Sequence, residues 1–193
     1  MRFLLIAVAC AALVSGCATA VPGEPIATGS SRASTKPLPF TPTIKNRTND
    51  RNDGTTFEPC TAYTDADLLP LDINPGSIRD AAQVDAANYR GCRWNANDYT
   101  ARSGGGQYSQ IVGLTMTLEQ YKRSMKTLRW QPDRQAHGRT IAYAPENNYC
   151  SASFSSERAI VVTIASSTNP SPGNQAECER AIAFASLAAS KAP

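Results

Sequence analysis

The chain has 193 residues, a formal net charge of +3, six cysteines and one histidine. So small a positive balance, with no long basic run, gives no electrostatic grip on nucleic acid. The length holds one ordinary domain plus a tail, and not two domains.

Met1-Arg2, the apolar run from Phe3 to Val14 and the small pair Ser15-Gly16 are the three parts of an export signal. A helix over that run rises about 18 Å, short of a hydrocarbon layer roughly 30 Å thick, so it reads as a signal core and not as a permanent span. The order Val14-Ser15-Gly16-Cys17 resembles the lipobox of bacterial lipoproteins. That resemblance implies that Val14, Ser15 and Gly16 fill the signal-peptidase site and that the Cys17 thiol carries a diacylglycerol. Each buried methylene adds about 0.8 kcal/mol, and two or three acyl chains such as palmitate hold far better than one. The expected location is the extracytoplasmic face of the cell membrane.

Cleavage before Cys17 leaves 177 residues with a formal charge of +2. Cys10 departs with the signal, and Cys60, Cys92, Cys150 and Cys178 remain, an even set in an oxidising compartment, so two disulfides are expected. Four cysteines allow three pairings. The pairing that closes two local, uncrossed loops, Cys60 with Cys92 and Cys150 with Cys178, is the expectation. No two of them stand at Cys-x2-4-Cys spacing, so no metal and no other cofactor is expected.

From residue 17 to 56, five prolines are scattered among Thr, Ser, Gly and charged residues, with Phe40 as the sole aromatic. This segment reads as a disordered tether, with a reach of roughly 35 Å as a coil. Asn46-Arg47-Thr48 matches a glycosylation sequon, which in this setting is read as chance.

A single domain over residues 57–190 follows. Thr64 and Asp67 form a capping-box pattern ahead of a short helix that Pro70 ends, with a turn over Asp72 to Pro75. Tyr89 to Ala96 reads as a strand that puts Cys92, Trp94 and Ala96 on one face, Trp94 as a core anchor beside the disulfide. Gly104-Gly105-Gly106 reads as a hairpin loop. A second strand follows, Tyr108 to Thr115, with Tyr108, Gln110, Val112 and Leu114 on one side.

Thr117 and Gln120 form another capping box, and Leu118, Tyr121, Met125 and Leu128 recur at helical spacing. Lys122, Arg123, Lys126 and Arg129 occupy the other sides, as a solvated face or as a patch for anionic lipid or a wall polymer. Strands are expected at Arg139 to Ala144, Tyr149 to Ser155 and Ala159 to Ala165. Cys150, Ala152 and Phe154 alternate with Ser151, Ser153 and Ser155 as if one face were wet, a turn falls at Ser156-Glu157, and Ile160 to Ile164, apolar on both faces, reads as central. After a loop over Thr168 to Gly173, Asn174 and Glu177 cap a last helix whose stripe runs through Cys178, Ala181, Ile182, Ala185, Ala188 and Ala189. The fold class is α+β, a mainly antiparallel sheet with helices packed on it.

The lipobox, the Pro/Thr tether, Pro59-Cys60 before the capped helix, Gly91-Cys92-Arg93-Trp94, Tyr149-Cys150 and Cys178 near the start of an Ala-rich helix together resemble an actinobacterial envelope lipoprotein family. That family includes mycobacterial Lpr-type lipoproteins and carries a domain of unknown function. The resemblance implies the location and a two-disulfide α+β domain akin to Mog1/PsbP-like sandwiches, and no reaction.

His137 lies in the polar loop Asp133 to Gly138 with no Gly-x-Ser-x-Gly elsewhere, and Asp65 and Asp67 are explained by a helix start. The expectation is therefore a noncatalytic binding or accessory module, held to the membrane through lipid on Cys17, with an envelope protein, lipid or polysaccharide as partner. The alternatives are a lipid or small-ligand carrier with an internal cavity, and a minor envelope hydrolase using His137.

Overall fold

The computed structural model describes residues 36–42, 44–82, 88–97, 106–166 and 171–193. Among them, seven strands form one antiparallel sheet: β1 (Arg79–Asp80), β2 (Arg90–Asn95), β3 (Gln107–Thr115), β4 (Arg134–Ala136), β5 (Arg139–Pro145), β6 (Tyr149–Ser156) and β7 (Ala159–Ser166), in the order β1-β2-β3-β7-β6-β5-β4. The β-branched run Ile160-Val161-Val162-Thr163-Ile164 lies on β7, the middle of the seven, as a strand apolar on both faces should. Three helices complete the set, α1 (Asp65–Leu68), α2 (Leu118–Ser124) and α3 (Asn174–Lys191).

Both capping boxes form. The Thr64 side chain accepts from Asp67 N–H while the Asp67 carboxylate accepts from Thr64 N–H, and Thr117 and Gln120 do the same for α2. Pro70 does not end the chain's helical path at once; it sits in a 3-10 turn over Leu69–Leu71 that closes on Asp72 in the left-handed region.

One face of the sheet is packed by α3. Cys92 and Trp94 from β2 with Ala96 just beyond it, Tyr108 and Val112 from β3, and Phe154 from β6 meet Phe184 and the alanines of α3, with the Trp94 and Tyr108 rings each edge-on to Phe184 at 5.5 and 5.9 Å. Edge-to-face pairs of this kind add about 0.5–1.5 kcal/mol beyond area burial. The Cys60–Cys92 and Cys150–Cys178 bridges both form, with Cα separations of 5.3 and 5.0 Å. The first ties the segment before α1 to β2, and the second staples α3 to β6.

Five expectations change. The serine side of β6 is not wet, because Ser151 and Ser153 are buried beneath a second apolar layer in which Leu118, Tyr121 and Trp130 cover Ala142, Ile160 and Val162. Helix α2 stops at Ser124, short of the expected stripe; the Trp130 indole N–H donates to the Lys122 and Met125 carbonyls at 3.3 and 3.2 Å, and Met125 is exposed. Leu114 is exposed where the register of β3 against β7 shifts between Val112 and Thr115. The polar loop around His137 is instead an edge hairpin, β4 turning into β5 through His137 and Gly138 at φ 51° and 72°, the pair of positive values that two-residue hairpins use. The β6–β7 turn is Glu157-Arg158, one residue later than expected, and of the Gly104 to Gly106 loop only Gly106 lies among the described residues.

The packed region also begins before residue 57. Within the stretch expected to be tether, Ile44, Arg47, Asn52 and Thr55 are buried. Thr55 shares a hydrogen bond with Ser156 at 2.8 Å, and Gly54 runs so close to β3 that a Cβ there would stand 2.6 Å from Thr115 Oγ1. The apolar content of this stretch is too low to order it, as composition indicates; paired charges hold it instead.

Candidate functional site

Two places concentrate polar chemistry. The first is a clasp at the β1–β2 edge. Arg47 donates to Glu58 through Nη1 at 2.8 Å and Nη2 at 3.2 Å, to Asp80 through Nε at 3.3 Å, to the Gly91 carbonyl at 3.1 Å and to Cys60 Sγ at 2.9 Å. Arg90 reaches the same Glu58 oxygen as Arg47 Nη1, at 3.0 Å, and donates to the Asn52 and Thr55 carbonyls. Gly91 permits this approach, because any side chain there would collide with the Gln110 carbonyl and lie 2.7 Å from Ile111 Cα.

Burial pushes the Glu58 carboxyl up, but the hydrogen bond from Arg47 and the charges of Arg90 and Arg47 outweigh it and hold the group below its usual range. Burial likewise opposes the charge on Arg47, and Glu58 with Asp80 outweighs it, so that pKa lies above the ordinary value. For Arg90 burial prevails and lowers it, because Glu58 is shared and the Arg47 charge is near. Two guanidiniums and two carboxylates balance, and almost every donor is spent.

The second place is a cleft of about 330 Å³ between the start of α3 and the β4–β5 edge, with Gln131, Arg134, Tyr143, Asn174, Gln175 and Glu179 on its walls and Cys178 in its lining. A further hollow of about 240 Å³, lined by Arg129, Glu146 and Asn147 among others, adjoins it across Pro145 and Asn174. Gln131 N–H donates to the Tyr143 carbonyl at 3.0 Å, which seats one wall on β5. The Arg134 guanidinium lies over the Tyr143 ring at 5.9 Å and faces Glu179 across the cleft at 3.9 Å.

Asn174 was expected to cap α3. The cap position is instead taken by Gly173, at φ 94° and with no side-chain hydrogen bond, so Asn174 is the first helical residue and its amide is not spent on the helix. Neither Asn147, Asn174, Gln175 nor the Tyr143 hydroxyl has a side-chain hydrogen bond to any described residue. Of these, only Asn174 is singled out from the sequence, and as a cap; Asn147, Gln175 and Tyr143 are not, since single polar letters at strand ends and helix starts carry no spacing signal.

Of the residues the sequence marks, Val14, Ser15, Gly16 and Cys17 lie outside the described residues. Cys60, Cys92, Cys150 and Cys178 are paired as expected, and no group of three His, Cys, Asp or Glu converges among the described residues. His137 is exposed at its hairpin tip. The basic patch of α2 is divided: Lys122 is bound to Asp133 at 2.8 Å and lies over Trp130 at 5.8 Å, while Arg123, Lys126 and Arg129 are exposed. Among the described residues no helix is long and apolar enough to cross a membrane.

The chain matches, over residues 12–191, the family model described as protein of unknown function DUF3558, and it belongs to that family. This is the domain of unknown function to which the cysteine and tryptophan pattern pointed. No curated protein and no solved structure matches the chain, so the likeness to Mog1/PsbP-like sandwiches rests on the resemblance alone.

Proposed function

We propose that this DUF3558 chain is an exported lipoprotein, held at the outer face of the cell membrane through lipid on Cys17, whose domain is a noncatalytic binding module. The observation that carries the reading is the order Val14-Ser15-Gly16-Cys17 after an unbroken apolar run, in a chain whose four later cysteines are all paired. Paired cysteines suit an oxidising compartment. Lys36, the first described residue, stands nineteen residues beyond Cys17, so it lies at most about 65 Å from the anchor even with the chain between fully extended. The partner is met close to the membrane surface.

The noncatalytic part is supported by how the ionisable groups are used. Arg47, Glu58, Arg90 and Asp80 are bound to one another under cover, and the sole histidine stands at a hairpin tip. A nucleophile, base and orienting group in mutual reach would be needed for hydrolysis.

The test is the intact mass of the N-terminal peptide of the protein purified from its own membranes. The expected peptide begins at Cys17 and carries diacylglycerol, and Cys17→Ser releases the protein from the membrane fraction. A native chain that starts elsewhere, or that carries an unmodified Cys17, overturns the anchor; in-cell cross-linking that captures no envelope neighbour, protein or glycan, overturns the binding module.

A further inference from the structure

We propose that the cleft beside α3 binds a neutral saccharide, a polyhydroxylated chain of two or three sugar units lying along the two adjoining hollows. The inference rests on the binding-module reading and names its ligand class.

The volume is of the right order. The hollows of about 330 and 240 Å³ adjoin across Pro145 and Asn174, and the larger by itself falls within the range of ligand sites, roughly 300–1,000 Å³. The lining sets the chemistry. Asn147, Asn174 and Gln175 offer three side-chain amides with no partner among the described residues, and Gln131 spends its Nε2 on the Arg129 carbonyl at 3.0 Å while its Oε1 stays open. An amide presents a donor and an acceptor side by side in one plane. Neighbouring sugar hydroxyls, each both donor and acceptor, answer that fork.

Charge argues against an anion. Arg134 is opposed by Glu179 at 3.9 Å, and the second hollow counts one arginine, Arg129, and one glutamate, Glu146, in its lining, so the two hollows together carry no net positive charge. An apolar ligand would strand the amides without partners, at about 1–3 kcal/mol for each polar group left unmet. A peptide added as an extra strand would need a longer template than β4, which has three residues. Pro145 supplies an apolar contact on the wall for the C–H face of a sugar ring, and the Tyr143 hydroxyl adds one more polar group with no partner among the described residues.

The test uses the full mature chain carrying Cys17→Ser, so that it stays in solution without detergent. Maltohexaose, cellohexaose, mannohexaose and tetra-N-acetylchitotetraose are each titrated to 10-millimolar order, and the side-chain amide resonances of Asn147, Asn174 and Gln175 are followed by NMR. At least one sugar is expected to shift them saturably, and the double variant Asn174→Ala/Gln175→Ala, exposed at both sites, weakens that binding at least tenfold, about 1.4 kcal/mol, with its melting temperature unchanged. No saturable shift with any of the four, a shift with inorganic phosphate in place of sugars, or binding indifferent to the double variant overturns the proposal. Those outcomes leave the N-terminal mass and the membrane fractionation untouched, so the ligand class can fail while the anchored module stands.

Discussion

The clasp at the β1–β2 edge and the cleft beside α3 are both built from side chains rich in donors and acceptors, and they use them in opposite ways. In the clasp, Arg47 and Arg90 spend themselves on Glu58, Asp80 and three backbone carbonyls, and both are 5% exposed or less. In the cleft, Asn147, Asn174 and Gln175 are exposed and spend nothing on the described residues. The contrast separates polar groups that hold a fold together from polar groups left open to solvent. A buried network of paired charges, here with only Asp80 Oδ2 unpartnered, loses stability when a member is changed; an exposed set should change little in the fold when it is cut.

The largest effect expected from that contrast is at Glu58. Glu58→Gln leaves two buried guanidiniums with one carboxylate fewer, and breaking a buried ion pair from one side costs about 3–5 kcal/mol, read as a lowered urea midpoint. The sign with pH follows from the lowered Glu58 pKa: its contribution is full above the ordinary carboxylate range and fades as pH falls through the folded value. Asp67, held down to about 2 by the Thr64 N–H, Lys191 and the Thr64 hydroxyl, adds a loss between about pH 4 and pH 2. The unfolding midpoint of the wild type therefore falls below about pH 4, and more gently in Glu58→Gln, where the parts of Asp67 and of Glu157, held low by the Thr56 N–H, remain. An equal slope in the two proteins would show that Glu58 is not the acid-sensitive member of the clasp.

Next comes the disulfide that underlies the clasp. Replacing Cys60 and Cys92 together by Ala opens a crosslink with a sequence separation of 32, worth about 3.5 kcal/mol in the loop-entropy model. Calorimetric and urea unfolding of the double variant check this. The smallest effect belongs to the cleft: Gln175→Ala should move stability by less than about 0.5 kcal/mol. A larger loss there would mean that the amide serves the fold, and the two regions would no longer differ in kind.

Much of the fold was legible because it is written locally. Thr64 with Asp67 and Thr117 with Gln120 announce their helix starts within four residues, and the alternation of Cys92, Trp94 and Ala96 names a buried face from the chain alone. The pairing of Cys60 with Cys92 and Cys150 with Cys178 followed from loop economy. What was not legible depends on partners far away in sequence. Ser151 and Ser153 look like solvent positions until Leu118 and Trp130 are laid over them. Residues 44–56 look like tether because composition counts apolar area and misses that Arg47 finds Glu58 11 residues on and Asp80 33 residues on. Asn174 looks like a cap because Asn often is one, yet one residue of slippage hands the cap to Gly173 and the amide to the cleft.

By itself, the sequence determined the five longer strands, the capped starts of α1 and α2, the even cysteine set and the lipobox order, since each is decided by neighbours within a few positions or by covalent chemistry. Only the tertiary structure decided that residues 44–56 are packed, that both faces of the sheet are covered, and that four amides, a tyrosine and an Arg–Glu pair line the hollows beside α3. The physical reason is range: hydrogen bonding within a turn and side-chain alternation act over a few residues, whereas desolvation and charge pairing depend on what the folded chain brings alongside.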